Sequence, residues 1–207
     1  CIDIAVPTPL RKTKDPDMSY VVQAVEAVRK HLKKGQLISL ESTTYPGTTE
    51  ELVKPMLEET GLKAGQDFYL AFSPEREDPG RTDFTTTTTP KVVGGVDELS
   101  GDLAEPLYAA VVTRTVRVSS ARAAEATKLM ENIFRAVNIA LATELALMCD
   151  KLGISPWEVI EAASSKPFAF LPHYPGPGLG GDCIPVVPHF LAARAREYGY
   201  SPQLIEA

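Results

Sequence analysis

Residues 176–183 read Gly-Pro-Gly-Leu-Gly-Gly-Asp-Cys, and Cys183 is the side chain here best suited to act as a nucleophile. Four glycines let a backbone approach a ligand closely and adopt φ > 0. A helix beginning just after the cysteine would favour its thiolate through the dipole and the free N–H groups. The run is not a dinucleotide fingerprint, because it comes after a Pro-rich loop rather than a strand. A small buried cysteine, the commoner fate of a lone thiol, is the competing reading; the glycine setting favours the nucleophile.

A second group lies upstream. Lys128, Asn132 and Arg135 are spaced by four and three, which puts an ammonium, an amide and a guanidinium along one polar stripe of a helix. Such a stripe is usually a solvated face, but it is also a good clamp for a developing oxyanion. Leu129, Ile133, Ala136, Ala140 and Leu141 lie off the stripe and are free to pack. Three polar clusters succeed three short apolar runs: Val6-Pro7-Thr8-Pro9, Glu41-Ser42-Thr43-Thr44, and Ser73-Pro74-Glu75-Arg76-Glu77-Asp78-Pro79-Gly80. Each alone reads as a rigid turn or a solvated loop. Together they read as a site, because ligands of open α/β sheets sit at the carboxyl ends of the strands.

The elements that must hold these groups can be read from periodicity. Strands are expected at about 2–6, 37–40, 68–72, 92–93 and 115–118, and helices at about 19–34 (ended by Gly35), from a Thr48-Thr49-Glu50-Glu51 capping box onward, and at 98–111. Alternating strands and helices predict an α/β domain with a parallel, Rossmann-like sheet. From 121 to 152 there is neither Gly nor Pro, which predicts a helix of about 48 Å. It is longer than a small domain needs, so it should pack on another subunit or bridge two domains. Ser155-Pro156-Trp157-Glu158 starts a further helix as N-cap, N1 and N3, and a last helix is expected at about 187–198. The division is then 1–118, the C-terminal half of a nucleotide-binding domain, and 119–207, an all-α central domain carrying the cysteine loop. No strand, glycine-rich turn and helix stands before Cys1, so the chain reads as an internal piece of a longer protein.

Bulk composition narrows the function. The 207 residues carry a formal charge of -6 with no basic stripe, which argues against nucleic acid and anionic membrane as partners. No apolar run approaches the roughly 20 residues of a membrane span. Three cysteines without CxxC spacing suggest neither zinc nor a disulfide framework, and fit a reducing cytoplasm.

In their order, Pro-Thr-Pro, Glu-Ser-Thr, Ser-Pro-Glu, Lys-Leu-x-Glu-Asn and Gly-Pro-Gly-x-Gly-Gly-x-Cys, these blocks resemble the UDP-glucose/GDP-mannose dehydrogenase family over essentially the whole chain. Ser-Pro-Glu-Arg-Glu-Asp-Pro-Gly, Arg135-Ala-Val-Asn-Ile-Ala and Lys166-Pro-Phe look like the UDP-N-acetylglucosamine 6-dehydrogenases in particular. The resemblance implies an NAD-dependent, four-electron oxidation of a sugar C6 alcohol, in the biosynthesis of polysaccharide precursors. Cys183 would capture the aldehyde as a thiohemiacetal and carry the later thioester. Lys128 and Asn132 would hold the C6 oxygen, and Thr43 and Glu75 would position or activate water. Pro7, Thr8, Ser42 and Thr43 would border NAD. Glu75, Arg76, Lys128, Asn132, Arg135 and Gly180 would contact the UDP-sugar, and the long helix would form a homodimer.

Three positions depart from the family pattern. Val187 stands where an Asp usually lies four residues beyond the cysteine, Asp182 stands where this subtype often has His, and Pro79 replaces a second Glu. A carboxylate beside the thiol should raise its pKa. Two further hypotheses therefore accompany the enzyme: a non-catalytic dimerisation or assembly core, and a cysteine hydrolase using Cys183 with His173 or His189.

Overall fold

The computed structural model of the chain describes every residue except 78, 79, 81, 179, 181–183 and 207. Among the described residues five strands form one sheet in chain order: β1 (Ile2–Ile4), β2 (Leu37–Leu40), β3 (Tyr69–Phe72), β4 (Lys91–Gly95) and β5 (Thr115–Arg117). Helix α1 (Ser19–Arg29) crosses from β1 to β2. A π-helical turn (Thr49–Val53) running into α2 (Lys54–Glu58) crosses from β2 to β3, and α3 (Glu98–Ala109) crosses from β4 to β5. Each of these connections brings the next strand in parallel, as a helical crossover must.

The sheet is nevertheless mixed, not wholly parallel as the alternation predicts. β4 runs antiparallel to β3, pairing Phe72 with Gly94. The physical reason lies in the connection: its described residues between β3 and β4 contain no helix to carry the chain back across the sheet.

α1 buries Val21 and Val25 in one cluster with Ile4, Ile38, Leu40, Leu57 and Phe72. It ends earlier than expected, at Arg29, and Gly35 instead takes φ 78° in the turn that opens β2. The expected capping box does not form. Thr48 is already helical, and its hydroxyl donates to the Tyr45 carbonyl at 2.7 Å. α3, by contrast, is capped by Asp97, which accepts from Ser100 N–H at 2.8 Å.

After β5 the regular elements among the described residues are all helices: α4 (Ala121–Leu152), α5 (Pro156–Ser164), α6 (Val187–Glu197) and α7 (Gln203–Glu206). The bounds of α4 match the Gly- and Pro-free stretch. Ser120 caps its start and Gly153, at φ 70°, its end. Its first turns lie on β4 so closely that a Cβ on Gly94 would fall 2.2 Å from the Ser120 carbonyl oxygen. Leu129 and Ile133 form a second core with Val187 and Phe190 of α6, and Ala136 is buried beside it. Ala140 and Leu141 do not pack as the pattern allows; both are exposed, as are Met130, Phe134, Leu147, Met148 and Leu152. By length and apolar content α4 is also long enough to cross a membrane, and only 28% of its most apolar window is buried. Its contacts with β3, β4 and α6 make it a domain helix with one open face.

Candidate active site

The carboxyl ends of β1 and β2 are tied together by the residues just beyond them. Ser42 Oγ accepts from Val6 N–H at 2.8 Å, and the Thr8 hydroxyl donates to the Thr43 carbonyl at 2.7 Å. Pro7, Thr8, Ser42 and Thr43 thus share one uncharged ledge. Next to it the Thr44 hydroxyl is buried without a hydrogen-bond partner among the described residues. A buried polar atom left in that state costs about 1–3 kcal/mol unless a water or ligand meets it.

The third cluster folds onto α4. Ser73, fully buried at the end of β3, donates to the Val92 carbonyl at 2.8 Å and sets the exit of the chain. Glu75 then turns back on itself: one carboxylate oxygen accepts from Arg76 N–H and Glu77 N–H, both at 2.7 Å. Lys128 donates from Nζ to the Glu75 carbonyl. One helical turn on, Asn132 is 8% exposed and its Nδ2 has no hydrogen-bond partner among the described residues. The structure therefore brings Lys128 onto Glu75, with the buried Asn132 amide one turn farther along α4.

Burial acts first on the Glu75 carboxyl and would raise its pKa. The Glu77 N–H, the Lys91 ammonium, the Arg76 N–H and Lys128 outweigh it, and the group is held below the usual carboxylate range. Glu75 is thus an acceptor, suited to orienting water rather than to giving a proton.

Arg76 and Arg135 separate from this group. The Arg76 guanidinium grips Glu131 of α4 (2.6 Å) and the Pro90 carbonyl (2.5 Å), so it fastens the 73–77 turn to α4. Arg135 is exposed and lines a cleft of about 580 Å³ with Met130, Glu131, Phe134, Leu171, Pro172 and His173. Gly180 is exposed, with open space where a Cβ would stand. Cys183, with Asp182, lies outside the described residues, as does Pro79.

The chain beyond the cysteine loop is firmly held. Arg194 of α6 donates to the Pro46 carbonyl at 3.0 Å, pairs with Glu51 and Glu197, and packs between the Tyr45 and Tyr198 rings. α6 is thereby anchored to the loop after Thr43. Val187 is 1% exposed inside the apolar cluster with Leu129, Ile133 and Phe190.

Three polar residues of this architecture go unmarked in the reading of the sequence: Glu125, Lys91 and Tyr108. Glu125 of α4 is fully buried and accepts from Gly47 N–H (2.5 Å), Thr49 N–H (2.8 Å) and the Thr49 hydroxyl (2.7 Å). It caps the π-helical turn from another element, replacing the capping box. Burial pushes its pKa up to about 7 against these three donors. A signal was present: Glu125 precedes Leu129 and Ile133 by four and eight, a charge on the apolar stripe. Nothing comparable marks Lys91, whose neighbours are set by strand pairing.

Residues 1–112 match the NAD binding domain of the UDP-glucose/GDP-mannose dehydrogenase family, and residues 122–207 match its central domain. UDP-N-acetyl-D-mannosamine dehydrogenase of Pyrococcus horikoshii is 43% identical over 94% of this chain and 46% of its own length. UDP-N-acetyl-D-glucosamine 6-dehydrogenase of Pseudomonas aeruginosa is 41% identical over 99% of this chain and 48% of its own. The solved structure of the P. horikoshii UDP-D-ManNAc dehydrogenase superposes with a TM-score of 0.88, at 42% identity, covering 99% of this chain and 47% of that one. The chain spans about half the length of the curated relatives it matches.

Proposed function

The chain belongs to the UDP-glucose/GDP-mannose dehydrogenase family and carries its NAD binding domain, and from that premise we propose that it is the core of an NAD-dependent UDP-sugar 6-dehydrogenase. Its substrate on this reading is UDP-N-acetylglucosamine, oxidised at C6 to the uronate. The division of labour is 1–118 for NAD and 119–207 for the central domain with the cysteine loop. What supports the reading is the contact of Lys128 with the Glu75 carbonyl, together with a buried Asn132 amide one helical turn along α4 that has no partner among the described residues.

The strand-end ledge fits a dinucleotide: it is uncharged, rigidly tied, and borders a buried hydroxyl that still needs a partner. Pro7, Thr8, Ser42 and Thr43 would hold NAD, which when bound accepts the hydrides. Lys128 and Asn132 stabilise the C6 oxygen as negative charge develops on it. Cys183 captures the aldehyde as a thiohemiacetal, and Glu75 with Thr43 orients the water that hydrolyses the later thioester. Arg135 and Gly180, each exposed, contact the sugar nucleotide, and Arg76 acts by holding Glu75 against α4. The protein works in the cytoplasm as a homodimer. The exposed apolar face of α4 is the surface for the second copy, and Cys149 is an unpaired, buried thiol.

The test is NADH formed by the full-length protein per UDP-N-acetylglucosamine consumed, with UDP-N-acetylmannosamine and UDP-glucose as competitors. Two NADH per sugar, abolished by Cys183→Ala, is expected. Full turnover by Cys183→Ala removes the covalent route. A second reading, an assembly core without catalysis, is favoured by Val187, an apolar, core-packed residue where the family shows Asp. It predicts a stable dimer, no NAD binding by calorimetry and no NADH.

A further inference from the structure

Lys91 opens β4, and the side chain of a strand-end lysine normally reaches water. This one is 11% exposed. Its ammonium lies 3.3 Å from Glu41 Oε1 and 3.6 Å from Glu75 Oε2, with the Tyr108 ring centroid 5.0 Å away. Glu41 is held from its other side by α3. The Tyr108 hydroxyl donates to Glu41 Oε1 at 2.7 Å. Since that proton is committed to Glu41, the contact of 2.6 Å between Ser39 Oγ and Tyr108 has Ser39 as donor. Burial, and then the Glu41 charge, raise the Tyr108 pKa, so the phenol stays protonated and keeps donating.

The chain of contacts runs Ser39, Tyr108, Glu41, Lys91, Glu75. Its first members are buried in the sheet and under α3. Its last is half-exposed in the candidate site. A buried ammonium between two carboxylates is costly to build from desolvated charges and is strongly directional once built. Only one of the two carboxylates has a second anchor on the sheet side, so Glu41 fixes Lys91 and Lys91 reaches outward.

We infer that Lys91 is a positioning residue: anchored on Glu41 and Tyr108, its ammonium fixes the Glu75 carboxylate beside Lys128. The inference rests on the reading of Glu75 as the carboxylate that orients water. Among the described residues, charged groups face Glu75 from each neighbouring element: Arg76 and Glu77 from its own loop, Lys91 from β4 and Lys128 from α4, with Glu131 of α4 taken up by Arg76. Lys91 is the cation among them whose place is set from inside the sheet. Removing it leaves the backbone N–H groups and Lys128, so the Glu75 carboxyl should protonate at higher pH.

The experiment compares the full-length protein with Lys91→Arg, Lys91→Met, and Lys91→Met combined with Glu41→Gln. The double variant replaces the buried ion pair with neutral groups and keeps the comparison alive should the single variant unfold. One readout is a ¹³C NMR titration of the Glu75 carboxyl, assigned by its loss in Glu75→Gln. The other is the acid limb of the NADH-forming rate. The Glu75 midpoint should rise by about half a pH unit or more in both Met variants and stay in place in Lys91→Arg, with the acid limb moving in step and the KM for NAD unchanged. A Glu75 midpoint unmoved in the folded Met variants overturns the inference, even if activity and Tm both fall, since that is what a merely structural lysine would give. A moved midpoint in a protein that forms no NADH at all sustains the coupling and sinks instead the catalytic reading of Glu75.

Discussion

Two glutamates meet α4 near its first turns, and the chain treats them in opposite ways. Glu75, in the loop after β3, is half-exposed and faces the ammonium groups of Lys91 and Lys128. Glu125, on α4 itself, is fully buried and faces two backbone N–H groups and a hydroxyl, with no cation among its donors. The first is held below the usual carboxylate range; the second is pushed up to about 7. The difference teaches what sets a carboxyl in a fold. Neutral donors act on both, but Glu75 is only half-buried and adds the Lys91 and Lys128 charges to its backbone N–H donors, and together these offset the cost of burying its charge; at Glu125 burial is nearly complete and the neutral donors alone do not. Glu125 is therefore a structural clasp, and Glu75 a half-exposed group held ionised.

The comparison breaks most visibly at Glu125. Glu125→Ala strips the partners from Gly47 N–H, Thr49 N–H and the Thr49 hydroxyl, and should cost about 3–4 kcal/mol in denaturant unfolding, at roughly 1–3 per bare donor with partial rehydration. A loss under about 1 kcal/mol would mean that water replaces the carboxylate freely.

The next effect is in pH. The folded Glu125 carboxyl holds its proton to about 7, against 4.5 when unfolded. The folded state thus binds more protons between those values, so stability falls as pH rises from about 4.5 to 7 and levels off above. The amplitude is on the order of 3 kcal/mol, about 2.5 pH units at roughly 1.4 kcal/mol each. Urea midpoints across that window should show the slope in wild type and lose it in Glu125→Gln.

Glu75 should give the opposite sign and a smaller size. Its folded pKa is lowered, so its contribution is present above its unfolded pKa and lost as pH falls through the folded value. Solvent screening of a half-exposed group keeps this under about 1 kcal/mol. Glu75→Gln should leave the unfolding midpoint nearly untouched while lowering NADH formation by about 100-fold or more. A stability loss as large as that of Glu125→Ala would erase the distinction between the two.

The smallest effect sits beside the clasp. Arg122 pairs with Glu50 and Glu51 at 2.7 and 2.9 Å on the surface, and Arg122→Ala should cost about 0.5 kcal/mol, mostly removed by 1 M salt. A larger, salt-resistant loss would mark those pairs as part of the clasp rather than its surroundings.

Much of the frame is legible from local pattern. α4 is readable because thirty-two residues lack Gly and Pro and end on Gly153, and helix propensity and capping act within a few residues of sequence. The polar ends of β1, β2 and β3 are readable because strand ends are marked by Pro, Ser and Thr, and Lys128 and Asn132 because helical spacing puts them on one side. The capping box fails because Thr48 turns its hydroxyl to Tyr45 and a carboxylate seventy-odd positions away takes the cap. The antiparallel β4 escapes the pattern because strand direction depends on what the connection contains.

The residue order by itself determined the elements, the family pattern and which side chains could do chemistry, since these depend on spacing along one chain. Only the tertiary structure decided which of those groups meet and in what state. It placed Arg76 on Glu131, left the Asn132 amide uncommitted, and set Lys91 between Glu41 and Glu75. Charge and desolvation act through space, at a few ångströms, and those distances exist only after β2, β3, β4 and α4 have packed.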